Sequence, residues 1–199
     1  MKPLSSCIII GTLFANLAGQ AQGTFVYDQQ SSTGETPQAY GSGGTIQQMV
    51  AQSFAPSLSS IDFLRLKVND NNPSNNLGAT LSLNLRMNSF NGPILDSTAP
   101  VTLPDSFTGT ANFFFTSSVA LTPGVIYYFE PVVQSGDTWN IDGHELNYSG
   151  GMAFYQGLPF SGSDLWFREG ILVPEPTSVS LILLAIGIFV WRKRIWQNP

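Results

Sequence analysis

The chain has 199 residues, with 8 Lys and Arg against 13 Asp and Glu, and a single Cys. A net charge of −5 argues against nucleic acid phosphates as a partner, and one cysteine excludes an internal disulfide. Only 11% of residues are charged against 43% hydrophobic, and the polar remainder is Ser, Thr, Asn and Gly, a composition suited to an extracellular all-β domain.

Residues 1–23 run Lys2, an apolar stretch Ile8 to Leu17, then small residues at Ala18, Gly19, Ala21 and Gly23. This is the n-, h- and c-region order of a secretory signal peptide, and cleavage after Ala21 or after Gly23 both satisfy the small-residue rule. Cys7 lacks a Leu-x-x-Cys context, so it leaves with the signal. The mature chain then has no thiolate to serve as nucleophile or metal ligand.

Residues 24–172 are of single-domain size and long enough to bury a core without staples. From Thr24 to Val173, Arg65, Lys67, Arg86 and Arg168 stand against 12 Asp and Glu, a net −8 that repels phosphates and anionic lipid. Phe25 to Tyr27 reads as a first strand, and Gln29 to Gly44 as a polar connection without strand periodicity. Met49 to Phe54 is a second strand. Ile61 to Val68 is a third, whose apolar parity changes from Ile61 and Phe63 to Leu64, Leu66 and Val68, implying a bulge near Phe63. Asn69 to Asn76 is a run of turn formers. Thr80 to Met87 alternates cleanly, with Leu81, Leu83, Leu85 and Met87 on one face. Three phenylalanines in Ala111 to Thr116 require one to leave the core face. Val125 to Val133 is a central strand that Pro131 ends or bulges. Trp139 to Tyr148 and Leu165 to Val173 complete about eight strands with turns between them. The pattern predicts an all-β, two-sheet sandwich of jelly-roll type.

Candidate chemistry in this domain is sparse. His144, the one histidine, has no Gly-x-Ser-x-Gly partner motif, so no triad is expected. A zinc site lacks ligands. Asn69 to Asn72, Asp137, Asp142 and Glu145 are hard oxygen donors, which makes calcium the cofactor to consider, although tight turns demand the same residues. Asp142 with Glu145, or Asp164 with Glu169, supply carboxyls for a glycosidase only if they converge. The aromatics Trp139, Tyr148, Tyr155, Phe160 and Trp166 cluster in the C-terminal third. Trp139, Tyr148 and Tyr155 are the candidates for stacking on sugar rings. Trp139 fits core or platform equally, and Trp166 is weighted to the core. No catalytic constellation emerges, and the expectation is a non-enzyme.

The last segment, 173–199, holds Pro174-Glu175-Pro176, then an uncharged apolar run Thr177 to Trp191, then Arg192-Lys193-Arg194. As a helix the 15-residue run spans about 22 Å, short of a bilayer core of about 30 Å, but Trp191, Trp196 and the basic cluster extend its reach at the interface. The positive-inside bias puts the tail from Arg192 in the cytoplasm. This three-part order resembles the PEP-CTERM sorting signal of Gram-negative bacteria. The resemblance implies an inner-membrane precursor and recognition by an exosortase-like membrane enzyme that cleaves near Pro174-Glu175-Pro176. Delivery to the cell surface or extracellular matrix follows. Gln52-Ser53-Phe54-Ala55-Pro56, the Ile61-Asp62-Phe63 strand, and Leu121-Thr122-Pro123-Gly124 before Tyr127-Tyr128-Phe129 resemble jelly-roll ectodomains of the same group. That resemblance implies the fold and not an activity. With the sorting signal as the specific feature and no catalytic constellation, the expectation is a structural or interaction role, with glycan binding in an exopolysaccharide matrix, on the aromatic C-terminal third, as the alternative and a secreted hydrolase behind both.

Overall fold

The computed structural model describes residues 23–31, 42–46, 49–144, 148–161 and 164–174. The signal peptide, the apolar run 177–191 and Arg192-Lys193-Arg194 lie outside them. The chain divides into Val26–Ile171 and a second unit, Met1–Phe25 with Leu172–Pro199. Of the second unit only 23–25 and 172–174 are described.

Fourteen strands are described: β1 Thr24–Gln30, β2 Ser42–Thr45, β3 Ala51–Phe54, β4 Ser60–Asp70, β5 Ala79–Met87, β6 Ile94–Ser97, β7 Val101–Leu103, β8 Thr108–Ala120, β9 Tyr127–Gly136, β10 Trp139–His144, β11 Ala153–Tyr155, β12 Leu158–Phe160, β13 Asp164–Leu165 and β14 Phe167–Val173. One sheet runs β1-β14-β4-β10-β13, with β2 on β10 and β8 on β4. The other runs β12-β11-β3-β9-β5-β6, with β7 on β5. The described residues are all-β, two antiparallel sheets facing each other across one apolar core.

Alternation builds that core. Leu81, Leu83 and Leu85 of β5 and Phe129 of β9 meet Leu64, Leu66 and Val68 of β4, all of them fully buried. The sheets touch through aromatic rings: Phe167 of β14 lies 5.3 Å from Phe129 and 6.4 Å from Phe54, centroid to centroid. The parity change in β4 is a register shift against β8 between Ile61 and Phe63. It turns Phe63 onto the opposite face, against Phe114 at 6.4 Å, while Phe113 and Phe115 stay in the core.

Two expectations change, and one stretch left unassigned in the sequence turns out to be strand. Part of the connection Gln29 to Gly44 is strand: β1 runs on to Gln30 and Ser42–Thr45 pairs with β10. The stretch after Asn91-Gly92-Pro93 holds two short strands, β6 and β7, which alternation alone does not reveal because they are four and three residues long. Pro131 neither ends nor bulges β9, which continues to Gly136. Pro131 faces Leu83, whose N–H donates to Thr98 Oγ1 at 2.9 Å and whose carbonyl accepts from Thr98 N at 2.9 Å. Leu83 therefore turns its backbone groups away from β9, and the missing proline donor is not needed.

Candidate functional site: a buried carboxyl pair

Strand β14 places the site. Its register on β4 sets Phe167 opposite Leu66, Arg168 opposite Arg65, and Glu169 opposite Leu64. Directly paired residues share a face, so Phe167 and Glu169 point into the sandwich with Leu66 and Leu64, and Arg168 points out. Outside, the Arg168 guanidinium sits 5.2 Å from the Tyr27 ring and 5.0 Å from Trp166.

Glu169 is wholly buried, and neither of its carboxyl oxygens accepts a well-formed hydrogen bond. Its polar neighbours are the Asp28 side chain and the Gln29 backbone amide, both on the edge strand β1. Burial pushes its pKa up to about 9, and the adjacent Asp28 carboxylate adds to the shift. Asp28 goes the other way. Burial alone would raise it, but hydrogen bonds from the Ser57 hydroxyl, the Leu58 and Ser57 amides and Gln29 together hold it below the ordinary value. The amide bonds from Ser57 and Leu58 measure 2.7 and 2.9 Å. With acceptor facing acceptor, a proton on Glu169 donated toward Asp28 makes the contact favourable. At neutral pH the pair is one carboxylic acid and one carboxylate.

The same edge gathers further acidic groups. Tyr148 donates its hydroxyl to Gln29 Oε1 at 2.7 Å and packs edge-on against Phe167 at 5.2 Å. Burial, with the nearby Glu169, Asp28 and Asp164 charges, raises its phenol to about 12. Asp164 accepts from Gln52 Nε2 at 2.9 Å, and Gln52 Oε1 accepts from Leu165 N at 3.0 Å, which ties β3 to β13 across the sheets. No cation balances this edge among the described residues. Arg65 and Arg168 lie opposite each other in the strand register and both face the Tyr27 ring, Lys67 reaches Asp142 at 2.8 Å, and Arg86 holds Glu130 at 2.8 Å outside the second sheet.

The residues expected from the sequence fall elsewhere or apart. Trp139 is 0% exposed and lies in the core beside Phe107, so its indole presents no face to a sugar. Tyr148 serves the acidic edge, and Tyr155 packs half-buried against the core from β11. Trp166, weighted to the core, is buried at 4% exposure but lies outside the main apolar cluster, with the Arg168 guanidinium 5.0 Å from its ring. Phe160, on β12, is exposed. His144 ends β10, its backbone paired with Asp164, and Glu145 lies outside the described residues. Of the candidate calcium ligands, Asp70 accepts from Asn72 N and Ser106 N, each at 2.8 Å. Asp137 accepts from Thr138 N and Asn75, and Asp142 from Lys67 and Asn69. These carboxylates close turns or pair with neighbours. Among the described residues no group of three His, Cys, Asp or Glu could hold a metal ion. Asp164 and Glu169 are not the carboxyl pair the fold forms; Glu169 pairs with Asp28. The signal was present: Phe167, Glu169 and Ile171 share a period of two, which places a glutamate on a core-facing stripe.

Pro174 is exposed directly after β14, and Glu175, Pro176 and the basic cluster lie outside the described residues. Among the described residues no helix is long and apolar enough to cross a membrane. No protein-family model matches the chain, and no curated protein matches it in sequence.

Proposed function

We propose that this chain is an exported protein of the PEP-CTERM class, carried to the cell surface or extracellular matrix of a Gram-negative bacterium, where its sandwich has a structural or interaction role. The observation that carries the reading is the order Pro174-Glu175-Pro176, apolar run, Arg192-Lys193-Arg194, beginning one residue after the last strand ends at Val173. Two prolines lack the backbone donors needed to continue a sheet, which suits a tripeptide read by an exosortase-like enzyme at the membrane. A net −8 over residues 24–173 suits a domain that stays in solution beside an anionic membrane surface.

The finer assignment of the sandwich as a jelly roll belongs to this proposal. It is supported by successive strands alternating between sheets, from β3 to β4 to β5 and again from β7 through β8, β9 and β10. The glycan-binding alternative loses its central residue with Trp139 in the core, and an enzymatic role is not part of the reading.

Intact-mass measurement of protein extracted from the cell surface tests the proposal. The expected species starts after Ala21 or Gly23 and ends near Pro174-Glu175-Pro176. A surface species that retains Arg192-Lys193-Arg194 in cells with an active exosortase overturns the processing step.

A further inference from the structure

Strand β14 fixes where the chain leaves the Val26–Ile171 unit. Glu169 lies opposite Leu64 and Gly170 opposite Phe63, so β14 heads toward Ser60, the first residue of β4. Ser60 faces Ala120, the last residue of β8. Short connections cross that end to the other sheet: 55–59 joins β3 to β4, and 121–126 joins β8 to β9. Gly124 N donates to Pro56 O and Leu121 N to Ser59 O, each at 2.8 Å, which ties the two together. Tyr127, at the start of β9, faces both Phe54 and Met87, so the 88–93 turn between β5 and β6 sits at the same end. So does Met152, whose carbonyl accepts from Ser53 N at 2.9 Å.

This exit end is uncharged and apolar. Segments 55–59, 88–93, 121–126 and 149–152 contain no Asp, Glu, Lys, Arg or His. Ile94, Leu95, Val125, Ile126 and Met152 stand out from it, each between 40% and 49% exposed. Across β11, β3, β9, β5 and β6 the row from Met152 through Ile126 to Ile94 is roughly 19 Å wide. The nearest charges lie on strands: Arg86 binds Glu130, Asp28 accepts from the Ser57 and Leu58 amides, and Asp62 and Asp96 are set back along β4 and β6. The far end is the reverse. Asp70, Asp105 and Asp137 gather there, accepting from Ser106 N, Ser74 N and Asn75. The 11 residues of β4, Ser60 to Asp70, put about 36 Å between the two ends.

We propose that the exit end is a lipid-docking surface: while the precursor is anchored, Val125, Ile126, Met152 and Ile94 enter the headgroup interface and the acidic end points away. The docking rests on the reading of 177–191 as a membrane segment.

Chain length commits the occupant. Five residues, 172–176, separate Ile171 from the apolar run, and fully extended they reach at most about 18 Å. With the run inserted, the exit end is kept within that reach of the bilayer. Apolar side chains with no charge beside them are what the interface takes up. The net −8 of residues 24–173 keeps the body of the domain in solution and confines contact to the uncharged end. Repulsion from anionic headgroups fades over a Debye length of about 8 Å, so the distant carboxylates do not oppose the contact and favour the upright pose.

Full-length chains carrying Cys7→Ser and one new cysteine, reconstituted in phosphatidylethanolamine and phosphatidylglycerol vesicles, test this. A fluorophore at Ile126→Cys is expected to be quenched by lipid with a nitroxide headgroup. The same fluorophore at Leu77→Cys, exposed at the far end, is expected to keep its emission. With the probe at Ile94→Cys, Val125→Asp and Ile126→Asp together are expected to abolish quenching while the protein still floats with the vesicles. Both side chains are exposed, so the thermal melt by circular dichroism is expected to be unchanged. Equal quenching at 126 and 77 overturns the docking. So does quenching at 94 that persists in the double variant, which the tether alone would then explain. Shielding at 126 that follows protein density and ignores the lipid quencher puts a second copy of the chain there, and overturns it too. A chain that does not float removes the anchor reading and the docking with it; one that floats without quenching at 126 removes the docking alone.

Discussion

Replacing Glu169 by glutamine should make the protein more stable at neutral pH, an unusual outcome for a fully buried polar position. The folded pKa of about 9 lies above the ordinary carboxyl value of 4.5, so the folded state keeps a proton that the unfolded chain loses. For an acid raised in this way, stability is greatest below about pH 4.5 and falls as pH rises toward 9, because the unfolded state gains by ionising while the folded state does not. Each pH unit in that window takes away about 1.4 kcal/mol, so at pH 7 the loss is about 3 kcal/mol. Glutamine is the same shape, never ionises, and still offers an N–H to Asp28. Urea denaturation of wild type and Glu169→Gln at pH 5, 6, 7 and 8 reads the difference directly. The wild-type free energy should fall across the series relative to the variant, with the curves meeting near pH 4.5. Parallel curves, or a variant less stable at pH 7, would refute a protonated Glu169.

Other substitutions probe the packing and the ligand question. Leu83→Asp puts an unpaired charge where the side chain is 0% exposed and should abolish cooperative unfolding by circular dichroism. Trp139→Ala should cost about 3–5 kcal/mol as a core truncation, with no selective loss of any glycan signal on an array. Pro131→Val should shift stability by less than about 1 kcal/mol, because the Leu83 backbone bonds to Thr98 and asks nothing of residue 131.

The parts of this fold that were legible in the sequence are those where alternation is long. Thr80 to Met87 announced its inward face, and the parity break at Phe63 marked a bulge that the register confirms. Short strands escaped because three or four residues carry too little period to stand out from a loop, as in β6 and β7. Ser82 shows a subtler failure. Alternation puts it opposite Leu83 and therefore outside, which is right, but it is only 3% exposed and accepts from Gln134 Nε2 at 2.8 Å. An outer face can be covered, and sequence parity does not say by what. The aromatic residues misled for the converse reason: Trp139 has the composition of a binding platform and the position of a core residue. The carboxyl pair was half visible. Glu169 sits on an inward stripe in the sequence, but its partner is 141 positions away in β1, and only the closing of the sheet brings the two together.

That separation bears on how the domain is completed. Pairing between β1 and β14 joins the first and last strands of the sandwich, so it closes the longest loop in the fold and is expected to form late. Until β14 is available, Asp28 has its Ser57 and Leu58 donors but not Glu169, and the inward face of β1 has no strand beside it. On the export route proposed above, with the N-terminus crossing first, the last strand emerges just before the segment starting at Pro174. The sheet can therefore close only when the chain has crossed as far as its proposed sorting signal. On the proposed route, folding and sorting come together at one stage of export. A truncation ending before Phe167 should leave β1 unpaired and the acidic edge open, and it should be degraded or aggregate rather than accumulate as a smaller sandwich. Stable, protease-resistant accumulation of a chain ending at Trp166 would show that closure by β14 is not required, and with it would fall the idea that the carboxyl pair marks completion of the fold.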